Sequence, residues 1–195
     1  MRMICYRKPL CSAQDTEILD RASHKMHLTR KLLLWDVLLF ALLGIAGPLL
    51  HDAAELPIPL IRFIAPINES IWEHLKLLFF PAAFIGILRR LVTGRLQHGI
   101  LTTFAEGIVL SMLLMVTAFY TYSGVIGSIS LVVDIALFYL CCLFLTIYVH
   151  RRSGRQKKSS LSGLFILLLL AGCFFYFTLY PPDLAIFRDF SQPLQ

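Results

Sequence analysis

Charge is scarce in this chain: 15% of its 195 residues are charged, against 57% hydrophobic residues and a mean hydropathy of +0.73. That balance excludes an ordinary soluble domain, whose surface needs more polar side chains. Zinc-finger spacing, a basic stripe interleaved with aromatics and a phosphate loop are all missing, so the formal net charge of +6 does not point to nucleic acid. Cysteine is sparse and badly placed for a secreted disulfide framework, with Cys5 and Cys11 near the N-terminus and Cys141, Cys142 and Cys173 inside apolar runs. Those three read as small buried hydrophobes. Neither H-E-x-x-H nor G-x-S-x-G occurs, and no internal repeat of the inverted-transporter kind is visible.

What is present is a series of long apolar runs. Each of about 20 residues would span the hydrocarbon layer as a helix. The runs are Leu32 to Leu50, Ile71 to Leu88, Gly99 to Tyr122, Ser128 to Val149 and Leu161 to Tyr180. The expected fold is therefore all-α, a polytopic membrane helix bundle of about five transmembrane helices. Gly47-Pro48 closes the first run, and Pro81 predicts a kink in the second. Between them, Leu56-Pro57-Ile58-Pro59-Leu60-Ile61 is apolar but broken by prolines, which predicts a re-entrant or interfacial loop.

Basic residues sit in the N-terminal segment, from Arg89 to Arg95 and from Arg151 to Lys158. The alternate loops hold only Arg62, then no charge, then Arg188 set against two aspartates. Because Lys and Arg stay in the cytoplasm, this pattern predicts a cytoplasmic N-terminus and an external C-terminus. Residues 1–31 are then a basic cytoplasmic tail, with a short surface helix from Ser12 to Met26. Residues 32–182 form the membrane domain and 183–195 an external tail. The tail is too long and mixed in charge for a signal peptide, and the next run lacks a small-residue cleavage site, so it is expected to be retained.

With that topology the polar residues sort by depth. His51 and Glu55 follow the outer end of the first helix, Asn68 to His74 open the second, and Asp134 lies roughly 10 Å into the fourth at 1.5 Å per residue. Ser70 and Glu73 have capping-box spacing, which accounts for both as helix-start residues. Glu69 and Glu73 also suit the positive end of the helix dipole, Trp72 an interfacial anchor and Lys76 a snorkelling position. Capping does not account for His74. His51 and Glu55, four residues apart, add a second histidine and carboxylate on one helical face.

Histidine with carboxylate suits a divalent metal such as zinc, or proton exchange. The expected metal ligands are His51, His74 and Asp134. The expected catalytic set is Glu73 or Glu69 as general base, with His74 and Asp134, and the substrate contacts are Asn68, Ser70, Arg62 and Tyr122. Asp134, costly inside an apolar span, needs a partner such as His51, His74 or Arg62, or a hydrogen bond from Tyr122 or Tyr139. Asp36 and Glu106 lie toward the cytoplasmic half, where Lys31, His98 or each other are the expected partners.

The stretch Asn68-Glu69-Ser70-Ile71-Trp72-Glu73-His74-Leu75-Lys76-Leu77-Leu78-Phe79-Phe80-Pro81 resembles the signature of an uncharacterised family of small bacterial integral membrane proteins, a domain of unknown function. Tyr120 to Gly127 with Asp134-Ile135, and Phe177 to Pro182 with Phe187-Arg188-Asp189, look like its later blocks. The resemblance implies membrane class and a bacterial source, and no activity.

Three functions compete at this point. The first is a membrane-embedded enzyme, metal-dependent, carrying out hydrolysis or acyl transfer on a lipid or lipid-linked substrate at the extracytoplasmic face. The second is an ion- or proton-coupled transporter, with Asp134, Glu106 and Asp36 marking a path and a homodimer supplying the missing symmetry. The third is a non-catalytic scaffold or partner subunit. Membrane lipid is the expected partner in all three, and nucleic acid in none.

Overall fold

The computed structural model describes residues 34–54, 56–93, 99–153 and 159–190. The tail expected over 1–31, its surface helix, Glu55, Lys31 and His98 lie outside the described residues. Five long helices make up the described chain: α1 (Leu34–Ala53), α2 (Ile71–Thr93), α3 (Ile100–Ile126), α4 (Leu131–Arg152) and α5 (Ser160–Leu179). Short 3-10 turns occupy Ile61–Phe63 and Ala185–Phe187, and no strand occurs among the described residues. Helices α1, α3, α4 and α5 are long and apolar enough to cross a membrane, while α2 carries four charged residues, Glu73, Lys76, Arg89 and Arg90.

Burial explains this difference. The most apolar stretch of α3 is 61% buried, whereas those of α1, α4 and α5 are 22–28% buried, so α3 stands at the centre and packs on α2, α4 and α5. Helix α2 buries its charges inward as well as its apolar face: Lys76 and Arg89 are the largest fully buried side chains. The outer helices bury narrow stripes. On α1 the stripe is Asp36, Leu39, Leu43 and Gly47, at spacings of three or four residues that keep one face inward. On α5 it is Gly163, Leu167, Phe174 and Thr178. Exposed Leu38, Leu42, Ile45 and Leu49 on α1, with Phe165 and Leu168 on α5, give the outer surface an apolar coat.

Glycine permits the closest helix crossing. A Cβ on Gly163 would lie 2.2 Å from the Thr102 backbone nitrogen, so α5 meets the start of α3 almost backbone to backbone. Thr102 Oγ1 donates to the Ser159 carbonyl at 2.7 Å beside this crossing.

The first four helices run past the ends expected from sequence, and two of these extensions, with the segment after α5, shape the site. Helix α1 continues through Pro48 to Ala53, which places His51 on its last turn. Proline offers no N–H to the carbonyl four residues back; Tyr139 Oη donates to that carbonyl, on Gly44, at 3.2 Å. Helix α3 runs past Tyr122 to Ile126 and stops at Gly127, whose φ of 73° suits a left-handed C-cap and whose N–H donates to the Ser123 carbonyl. The segment after Tyr180 folds back, stacking Phe187 on Trp72 and Phe190 on Phe119.

Candidate functional site

The start of α2 is built by local hydrogen bonds. Asn68 Oδ1 accepts the Ser70 N–H at 3.1 Å, and Ser70 Oγ accepts the Glu73 N–H at 3.3 Å. Glu73 reaches back to the Ile67 N–H at 3.0 Å, three residues before Ser70. Ser70 is therefore a cap, and the substrate contact expected of Asn68 and Ser70 meets side chains already committed to the backbone.

Glu73 turns inward beneath the cap. Its carboxylate meets Lys76 Nζ at 2.5 Å, and Lys76 also donates to the Arg62 carbonyl at 3.0 Å and to Thr178 Oγ1 at 2.8 Å. The three acceptors match the three protons of an ammonium. Lys76 therefore does not snorkel; it ties the loop, α2 and α5 together in the interior. The Arg62 guanidinium is held over the Phe63 ring, 5.4 Å from its centroid.

Glu69 and His74 take the other direction. His74 Nδ1 lies 3.0 Å from the Ser70 carbonyl and, as an N–H, donates to it. This leaves Nε2 facing Glu69 at 3.3 Å. His51, on the last turn of α1, approaches Glu69 at 3.6 Å from the opposite side, and the two imidazole centroids are 5.6 Å apart. One donor atom from each of His51, Glu69 and His74 lies within 4.8 Å of the others.

Two imidazoles and one carboxylate form a known zinc donor set. Around a tetrahedral ion with bonds of ~2.0–2.1 Å the donors stand roughly 3.3 Å apart; the histidine–Glu69 separations of 3.3 and 3.6 Å are near this value, and the widest separation, within 4.8 Å, would have to close. A histidine whose second ring nitrogen is anchored on a backbone carbonyl is the arrangement that orients metal ligands. The donor chemistry and the geometry both fit a divalent cation.

The three side chains stand at the mouth of a cavity of about 590 Å³, which Asp134 also lines, in the first turn of α4. Tyr122 Oη donates to Asp134 Oδ1, holding that carboxylate in place. Asp134 shares the cavity but stands outside the close cluster; the carboxylate between the histidines is Glu69, which differs from the ligand set expected from sequence. Glu73, Arg62, Asn68, Ser70 and Tyr122 do not line the cavity. Phe190, from the segment after α5, does.

A second polar cluster sits at the other end of the bundle. Asp36, buried, meets Arg89 at 3.2 Å and His150 at 2.6 Å, and Arg89 also donates to Ser153 Oγ at 3.2 Å. Glu106 accepts from Tyr148 Oη at 3.0 Å. Sequence reasoning read Arg89 as the start of a basic loop and gave His150 no role, and so missed both as partners of Asp36. The available signal was their position: all three fall at the same end of antiparallel helices.

Fold and site together define an all-helical membrane protein with a histidine and carboxylate cluster lining a partly open cavity. The family model for a family of unknown function (DUF6512) matches residues 22–192, and the chain belongs to that family. Neither a curated protein nor a solved structure matches it.

Proposed function

We propose that this protein is a membrane-embedded, metal-dependent enzyme that hydrolyses or transfers an acyl group of a lipid or lipid-linked substrate. The observation that carries the reading is the convergence of His51, Glu69 and His74 at the mouth of a cavity shared with Asp134. A divalent ion held there would polarise a carbonyl and lower the proton affinity of water. Glu69 is engaged with the two histidines, which leaves Asp134 as the general base. In ester hydrolysis Asp134 accepts a proton from water as the water oxygen bonds to the carbonyl carbon, and returns it to the leaving oxygen as the C–O bond breaks. Tyr122 orients Asp134 for this exchange. Glu73 takes no part, because Lys76 and the Ile67 N–H already hold its carboxylate in the interior.

The site faces the extracytoplasmic side of a bacterial cytoplasmic membrane in this reading. Support comes from the basic loops: Arg89 and Arg90 end α2, and Arg151 and Arg152 end α4, at the opposite end from His74 and Asp134. All five helices then cross the bilayer, with the charges of α2 sheltered by its neighbours. The segment with exposed Leu56, Ile58, Leu60 and Ile64 lies in the interface.

The test is metal stoichiometry. Protein purified in detergent and dialysed against zinc should hold close to one equivalent, His74→Ala and Glu69→Gln should lose it, and Asp134→Asn should keep it. Folded wild type that stays metal-free at saturating zinc overturns the proposal.

A further inference from the structure

The lining of the cavity changes character with depth. Its charged and histidine lining is gathered at one end: His51 and Asp52 on α1, Glu69 just before α2, His74 on α2 and Asp134 on α4. One turn further in, the same helices present Gly47, Leu77, and Leu137 with Phe138, while α3 passes from Phe119 to Met115. The deeper walls are thus apolar except for Tyr139, whose hydroxyl is turned onto the Gly44 carbonyl. Gly47 contributes to this shape: a Cβ there would come 2.4 Å from the Phe138 ring, so the missing side chain gives the ring its place against α1.

From this gradient we infer that the cavity takes a long acyl chain, inserted tail first, with its carbonyl left among His51, His74 and Asp134. At about 590 Å³ the cavity has room for an alkyl chain. A water-soluble substrate would leave the walls formed by Leu77, Met115 and Phe138 without a counterpart. The bundle's apolar coat would place the cavity beside acyl chains of the same character. The inference rests on the reading of the mouth as a reaction site and narrows it: the reacting group is the acyl carbonyl, and the phosphate or sugar end of a lipid stays outside.

Photolabelling tests it. The full-length protein in liposomes is irradiated with palmitic acid carrying a diazirine at mid-chain, and labelled residues are mapped by peptide mass spectrometry. Label is expected on Leu77, Met115 and Phe138, falling at least fivefold under a twentyfold excess of plain palmitate. Met115→Trp and Leu77→Trp, which fill the cavity, should each lower it as far, while label on lipid-facing Phe165 and Leu168 of α5 stays constant. If cavity residues take no more label than Phe165, or the label survives both competition and the tryptophan variants, the inference is wrong. The competition arm uses wild type and so does not depend on either variant folding. The label needs no metal: zinc binding without cavity label defeats this inference alone, and cavity label without zinc binding defeats the catalytic reading alone.

Discussion

Replacing Glu73 by glutamine separates a structural carboxylate from a catalytic one. Lys76 is completely buried and Glu73 nearly so, at 3% exposure. In wild type the ammonium has three acceptors, of which only Glu73 is charged. The Ile67 N–H and Lys76 share one oxygen of Glu73, so Glu73→Gln can keep that acceptor for both but leaves an ammonium held by three neutral oxygens. Removing one partner of a buried pair costs about 3–5 kcal/mol, because the remaining charge is uncompensated. Replacing both, as Glu73→Gln with Lys76→Met, removes that charge. The Arg62 carbonyl and Thr178 hydroxyl then lose a donor, so the double variant should sit about 1–2 kcal/mol below wild type. Reversible unfolding by SDS in mixed micelles, followed by tryptophan fluorescence, measures both. The structural account also expects the folded fraction of Glu73→Gln to hold zinc as wild type does. A single variant within about 0.5 kcal/mol of wild type, or a double variant less stable than the single, refutes the reasoning.

Other outcomes follow from the same contacts. Asp36→Asn should lower stability by about 2–4 kcal/mol in the same assay, since Asp36 compensates a buried guanidinium. Zinc stoichiometry should not change, because Arg89 lies fifteen positions along α2 from His74, about 22 Å. Gly163→Ala should be destabilising by about 1–3 kcal/mol or more, because its methyl group would enter the backbone of α3 at Thr102, which no side-chain rotation relieves. Zinc affinity should be lower at pH 5.5 than at pH 7.5, because imidazole ligates only when neutral and binding releases protons. Titration calorimetry in buffers of different ionisation enthalpy reads that release, and equal affinity at the two pH values would contradict ligation by His51 and His74.

The pattern of runs and loops carried much of this fold. Chain in lipid must satisfy its backbone internally, so each apolar run of about 20 residues has one regular solution. Depth was legible for the same reason: rise per residue is constant, so counting along antiparallel helices brings His51, His74 and Asp134 to one end and Asp36, Arg89 and His150 to the other. The capping of α2 by Ser70 was legible as well, because its spacing is a local hydrogen-bond requirement.

Only the tertiary structure decided which side chains share a contact at a given depth. Glu73 adjoins His74 in sequence and Glu69 lies five positions before it, yet the cap at Ser70 directs Glu73 under α2 toward Lys76 and leaves the more distant Glu69 outside the helix, between the two histidines. Asp134 reaches the cavity but not the cluster. Pro48 does not end α1 because Tyr139, ninety-five residues from Gly44, attends to the carbonyl it frees. In each case the sequence specifies position along a helix axis, while the rotation of one helix against another is set by packing across the bundle, where a glycine as distant as Gly163 determines how near two helices come.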